Sequence, residues 1–281
     1  MFDIASLTHL GMVRARNEDN HVVDAVNDVV IVADGMGGYN AGEVASAMAV
    51  TLLAAGLGAG LSRARAKFKL DRKLLIKTQV EQANGAIHDA AQAQPQCAGM
   101  GATLVAAIFE PGRVTVAHVG DSRLYRARGA RFDALTRDHS VLQEQLDGGL
   151  ISQEEALISR NRNLVTRALG MASTVEVDVA QHEVLPGDLY LLCSDGLNDM
   201  VAHDRIGQVL SGALDLGQMA QQLLALANAN GGHDNVTVIL VRALAENSRR
   251  GLLQRIRAAV QRWRSGIAPA VILDYQLNNV R

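Results

Sequence analysis

The sequence predicts an α+β protein in which antiparallel sheets are layered with helices, and three observations lead there. Apolar runs of strand length recur at residues 29–33, 103–109, 114–119, 189–193 and 236–241, several of them continuous enough to be buried on both faces. Pro111-Gly112 separates two of these runs as a hairpin turn does, and Pro186-Gly187 is expected to act in the same way ahead of residues 189–193. Helix-length stretches at 41–61, 71–94, 204–210 and 216–229 come in groups instead of alternating singly with strands, which disfavours a parallel sheet. The 281 residues, 48% apolar and 20% charged, suffice for one large domain or two small ones.

Each element has a local reason. Residues 29–33 read Val-Val-Ile-Val-Ala, a β-branched strand core. Residues 44–61 run without a charge for the length of a membrane span, yet they are mostly Ala, Gly, Ser and Thr, so a buried helix is expected. Residues 140–162 are polar, contain Gly148-Gly149 and hold a capping box at Ser152 with Glu155, the mark of a small helical excursion between strands. The pattern breaks at Glu246-Asn247-Ser248, which divides the chain into a domain, 1–243, and a C-terminal helical tail, 244–281.

Composition excludes several classes. With 4 Pro, 26 Gly and no low-complexity run, neither a disordered nor a collagen-like chain fits. Lys and Arg number 27 against 29 acids, a net of −2, so no chain-wide basic field exists to hold nucleic acid. The balance is uneven: residues 244–281 carry seven Arg and two acids, a net of +5, which leaves −7 on the rest. Within the tail, residues 251–265 form a helical pattern with Leu252, Leu253, Ile256, Val260 and Trp263 in one arc, bordered by Arg255 and Arg262 on one side and Arg257 and Arg264 on the other. Such a helix fits either the acidic body of its own domain or an anionic membrane or other acidic surface. Cys97 and Cys193 stand apart without a His cluster, and the N-terminus lacks a signal-peptide pattern, so a cytoplasmic location is expected.

Aspartates mark the strand ends. Residues 29–33 lead into Asp34-Gly35, residues 189–193 lead through Ser194 into Asp195-Gly196, and the run ending at Val119-Gly120 leads into Asp121. Asp234 stands just ahead of residues 236–241. Any one Asp-Gly is also a common turn former. Strands meeting at one sheet edge would gather all four carboxylates, whose repulsion calls for a cation, and an oxygen-only donor set favours Mg²⁺ or Mn²⁺ over Zn²⁺. Upstream, Arg14-Ala15-Arg16-Asn17-Glu18-Asp19 is by itself a solvated charge cluster, but beside a metal it offers a guanidinium for phosphate and acids for metal waters. Phosphate-ester hydrolysis is the chemistry these parts suggest.

The sequence resembles the metal-dependent protein phosphatases of the PPM, or protein phosphatase 2C, family, in particular its bacterial branch. The match covers about residues 8–241 and is carried by Gly11-Met12-Val13-Arg14 with Asn17-Glu18-Asp19, Ala33-Asp34-Gly35-Met36-Gly37-Gly38, Gly101-Ala102-Thr103, His118-Val119-Gly120-Asp121-Ser122-Arg123, Thr136-Arg137-Asp138-His139-Ser140, Cys193-Ser194-Asp195-Gly196-Leu197 and Asp234-Asn235-Val236-Thr237. The resemblance implies a four-layer α-β-β-α sandwich and a site for two Mn²⁺ or Mg²⁺ ions. It implies that Asp34 bridges the ions, that the Gly35 carbonyl, Asp195 and Asp234 complete their protein ligands, and that Asp121 with Asp195 forms a third, weaker site. Glu18 and Asp19 would hold coordinated waters and Arg14 the substrate phosphate, while Arg16 has no such role. Residues 140–162 would be a flap beside the site.

The implied reaction hydrolyses phosphoserine or phosphothreonine in proteins: two cations lower the pKa of a shared water from about 15.7 towards neutrality, and the hydroxide attacks phosphorus in line. Met36 stands where many eukaryotic members have a proposed histidine acid, and a thioether has no proton to give. His139 is read as structural, with a metal-bound water as the better acid. A Ser/Thr kinase and its targets are the expected partners. Two other readings stay open, a catalytically silent phosphoprotein-binding module and a hydrolase of small phosphorylated molecules. A silent module would have lost one of Asp34, Asp195 or Asp234, and all are present.

Overall fold

In the computed structural model, which describes residues 1–37, 41–65, 70–157, 159 and 164–245, the long apolar runs divide their side chains between two layers. Strand β3 (Val29–Met36) sends Val29, Ile31 and Ala33 into a core shared with helices α1 (Ala41–Arg65) and α2 (Arg72–Ala93). Its alternate residues, Val30 and Val32, enter a second core between two sheets. This period of two lets a continuous apolar strand serve as the middle of a sandwich.

The first sheet contains β2 (Asp19–Asp24), β3, β4 (Gly101–Ala102), β5 (Leu104–Glu110), β6 (Arg113–Val119) and β9 (Asp178–Glu183), in the order β2-β3-β5-β6-β9 with β4 paired to the end of β3. The second contains β1 (Phe2–His9), β7 (Arg123–Arg128), β8 (Arg131–Ala134), β10 (Leu189–Cys193) and β11 (Val236–Ala243), in the order β1-β11-β10-β7-β8. Every pairing between these strands is antiparallel. Val105, Phe109 and Val116 of the first sheet meet Tyr190, Leu192, Ile239 and Val241 of the second. Each such side chain contributes about 1.5–3 kcal/mol when fully buried. Leu191, Val238 and Leu240 face outward, beneath α6 (His203–Leu210) and α7 (Leu216–Ala229). The expected four-layer α-β-β-α arrangement results.

Helix α2 starts on Asp71, whose carboxylate caps the amides of Lys73 and Leu74, and α7 starts on a capping box between Asp215 and Gln218. One expected turn differs. Pro111-Gly112 closes the β5–β6 hairpin, with Glu110 opposite Arg113, but Pro186-Gly187 lies between β9 in one sheet and β10 in the other and is a crossing turn, not a hairpin. Helix α1 is apolar and long enough to cross a membrane, yet Ala45, Ala49, Leu53 and Leu57 are packed in the core while Leu52 is exposed. It is thus covered along one face, less fully than the sequence led us to expect. The 140–162 excursion holds α3 (Val141–Asp147) and α4 (Gln153–Leu157), the latter behind the expected box, with the Ser152 amide donating to Glu155 and the Glu155 amide to Ser152. All these elements belong to one unit, Phe2–Ala243. The amphipathic helix expected at 251–265 lies outside the described residues.

Candidate active site

Antiparallel pairing puts the ends of β3, β6 and β10 on the same edge as the starts of β2 and β11. Asp19 opens β2 and stands opposite Asp34 in β3. Asp121 follows β6 through Gly120, whose φ of +102° and tight packing on Thr103 leave no place for a side chain. Asp195 begins the short helix α5 (Asp195–Asn198) directly after β10, and Asp234 precedes β11. The sequence ends the third strand at Ala33, but pairing with β4 continues it to Met36, so Asp34 lies within the strand. Polar bonds fasten the two sheets at this edge: Ser194 and Thr237 of the second sheet's segments donate to Asp19 Oδ2 over 2.7 and 2.6 Å.

The carboxylates act on one another. Burial, followed by the charges of Asp19, Asp195, Asp121 and Asp234, raises the Asp34 pKa well above the usual range. Asp195 is raised by burial and by Asp121, Asp199 and Asp234. Burial also lifts Asp19 to about 6, against its hydrogen bonds from Thr237 and Ser194, and lifts Asp121 to about 6 with help from Asp138. Two buried oxygens, Asp19 Oδ1 and Asp195 Oδ1, have no hydrogen-bond donor. Gly35 cannot carry a side chain, since a Cβ there would lie 2.0 Å from the Gly42 carbonyl oxygen. The Gly35 carbonyl oxygen and Glu18 Cδ in turn lie 2.9 and 3.0 Å from where a Gly42 Cβ would be, so both pack against the start of α1. Orphaned carboxylate oxygens and repelling acids are what hard divalent cations relieve, and the donor set fits Mn²⁺ or Mg²⁺.

Arg14 is half-exposed, and its Nη2 donates to Asp234 Oδ2 over 2.6 Å. The structure therefore joins two residues that the sequence assigned to separate tasks. Glu18 has its pKa raised, first by burial and then, against Arg14, by Asp234. Two residues near the cluster carry no assignment from sequence. Asp199 raises both Asp195 and Asp121, and its amide donates to the Asp195 carbonyl over 2.8 Å. The four-residue spacing from Asp195 was a readable sign. Asn235 is the other, and nothing in its motif distinguishes a ligand's neighbour from a working residue.

A second group also has metal-like spacing. Ligand atoms of His118, His139 and Asp178 all lie within 4.8 Å of one another, and the two rings stack at 4.7 Å. The bonding leaves His139 no ring lone pair for an ion. His139 Nδ1 accepts from the Gly120 amide at 3.1 Å, so its proton sits on Nε2, 3.4 Å from Asp178 and 3.4 Å from the Arg167 guanidinium. His118 Nε2 lies 2.8 Å from the Arg137 carbonyl and donates to it. Burial lowers both histidine pKa values, that of His139 with further lowering by His118 and Arg167. The rings are neutral and bonded through their protons.

Comparison with known proteins agrees with this geometry. The family model described as Protein phosphatase 2C matches residues 13–245. The serine/threonine phosphatase stp of Listeria welshimeri is 38% identical over 255 residues, covering 90% of this chain and 97% of that protein. Among solved structures, the Mycobacterium tuberculosis serine/threonine phosphatase PstP superposes with a TM-score of 0.78 at 35% identity, covering 87% of this chain and 99% of that one. A PstP catalytic domain in complex with two manganese ions gives a TM-score of 0.76 at 35% identity over the same shares. With sequence, fold and edge chemistry in agreement, the chain belongs to the protein phosphatase 2C family.

Proposed function

We propose that the protein is a metal-dependent serine/threonine protein phosphatase. In this reading two Mn²⁺ or Mg²⁺ ions are held by Asp34, the Gly35 carbonyl, Asp195 and Asp234, and a third, weaker site is shared by Asp121 and Asp195. The observation that carries the reading is unmet demand at the edge: buried carboxylate oxygens without donors among acids whose pKa values are raised by burial and mutual repulsion. The bound ions would supply Lewis-acid chemistry, activating water and polarising the phosphoryl group.

The chain's own residues do the rest. Arg14 offers its guanidinium to the substrate phosphate in exchange for its bond to Asp234. Asp19, with Oδ2 occupied by Ser194 and Thr237, keeps Oδ1 for a water, and Glu18 holds another. Met36 has no proton to donate and His139 has both ring nitrogens engaged, so the departing alcohol takes its proton from water. Phosphorylated proteins are the substrate class, a Ser/Thr kinase acting on the same targets is the expected counterpart, and the cytoplasm is the expected location. The test is phosphate release from a phosphothreonine peptide and from small phosphomonoesters, before and after metal stripping. Metal-restored activity that favours the peptide supports the reading, and full activity in chelator contradicts it.

A further inference from the structure

We propose that Asn235 is the positioning residue that sets Arg14 for phosphate, coupling the loop between β1 and β2 to the acidic edge. The inference rests on the reading of Arg14 as the phosphate-binding group. Asn235 is 5% exposed, and its carboxamide is spent on that loop. Oδ1 accepts from the Glu18 amide at 2.8 Å, and Nδ2 donates to the carbonyls of Leu10 at 3.0 Å and Arg16 at 2.8 Å. These three anchors bracket Arg14 on both sides. No other side-chain type of this size offers an acceptor and two donors from one planar group.

The backbone around Asn235 ties the same residue to the metal edge. Its carbonyl oxygen lies 2.0 Å from where a Gly196 Cβ would be, so it packs against the Asp195-Gly196 turn at a distance only glycine permits. At Gly11, with φ +81°, a Cβ would lie 2.2 Å from the Asp234 carbonyl oxygen, and the Met12 amide donates to the Gly232 carbonyl over 2.7 Å. Residues 232–235 thus clip the loop at Leu10, Met12, Arg16 and Glu18. Among the described residues, the Arg14 side chain, half-exposed, is bonded to Asp234. Its direction is therefore set by where the clipped backbone starts it. Misplacing such a group by about 1 Å costs up to about a hundredfold in rate.

The test is a double-mutant cycle with an aryl phosphate. kcat and KM are measured on wild type, Arg14→Ala, Asn235→Ala and the double variant, alongside Mn²⁺ titration. Asn235→Ala should raise KM about tenfold with a smaller fall in kcat, and on the Arg14→Ala background it should change KM by less than about twofold. Mn²⁺ affinity should stay within about threefold of wild type. An equal KM factor in both backgrounds, or an unchanged KM, overturns the proposal. Because wild type and Arg14→Ala are measured first, absence of activity or of an Arg14 effect marks failure of the underlying reading instead. Should Asn235→Ala not fold, amide exchange in the wild-type protein still decides. The Glu18 amide, whose bond is to the Asn235 side chain, should exchange about a hundredfold more slowly than the exposed amides of this loop. Exchange at the loop's own rate removes the clip.

Discussion

The acidic edge of Asp19, Asp34, Asp121, Asp195 and Asp234 and the trio of His118, His139 and Asp178 both gather metal-ligand side chains in buried surroundings. The trio is the tighter, with its ligand atoms all within 4.8 Å. Yet the His139 lone pair is engaged by Gly120 and the two ring protons by Arg137 and Asp178, and Arg167 already supplies a positive charge. The edge has the opposite condition, with acids raised by one another and two buried oxygens lacking donors. The difference teaches that unmet demand, more than closeness of ligand types, marks a place for a cation.

Substitutions should separate the two regions. The largest effect is expected for Asp34→Asn or Asp195→Asn, which should lower turnover by about three orders of magnitude or more and weaken Mn²⁺ binding. His118→Gln should leave the Mn²⁺ stoichiometry unchanged; a lost ion there would make the trio a metal site after all. Next comes Arg14→Ala, expected to raise KM about tenfold or more with a smaller loss of kcat, while Arg16→Ala leaves both near wild type. The reverse pattern would misassign the loop. Asp121→Ala should retain the two tight sites in a calorimetric titration and lose about tenfold in turnover on a phosphoprotein. Equal loss of both tight sites would move Asp121 into the central pair.

The smallest effect concerns pH and stability, and the two regions have opposite signs. The edge acids are raised on folding, so the metal-free protein is favoured below the unfolded pKa of about 3.9 and loses that contribution as pH rises through the folded values, which for Asp19 and Asp121 are about 6. The buried histidines are lowered on folding. Their contribution is present above the unfolded value of about 6.5 and is lost as pH falls below it. Bound Mn²⁺ should cancel only the first effect, so the Mn²⁺-induced rise in Tm should grow between about pH 5 and about pH 8. A rise that is constant or shrinks over that range would leave the edge without the repulsion attributed to it.

Legibility in the sequence followed position in the sheets. The central strands β3, β5, β6, β10 and β11 were readable because both faces are buried, which makes their residues continuously apolar. The edge strands β1, β2, β8 and β9 were not, since edge strands carry polar residues such as those of Asp178–Glu183. Central β7 escaped for another reason: Arg123, Arg126 and Arg128 break its apolar pattern and are held by Asp138, Asp133 and Asp188. At the site, aspartates following apolar runs could be read in advance. The bond from Arg14 to Asp234 and the three bonds of Asn235 could not, because each depends on segments brought together only by folding.

The central claim is that the acidic edge, and not the histidine trio, holds the catalytic ions. Calorimetric titration of Mn²⁺ into metal-stripped wild type, Asp195→Asn and His118→Gln, with phosphothreonine-peptide hydrolysis followed on the same samples, tests it most directly. Wild type and His118→Gln should each bind two ions tightly and recover activity together with binding, whereas Asp195→Asn should do neither. Two tight ions and full turnover in Asp195→Asn, or their loss in His118→Gln alone, would contradict the claim.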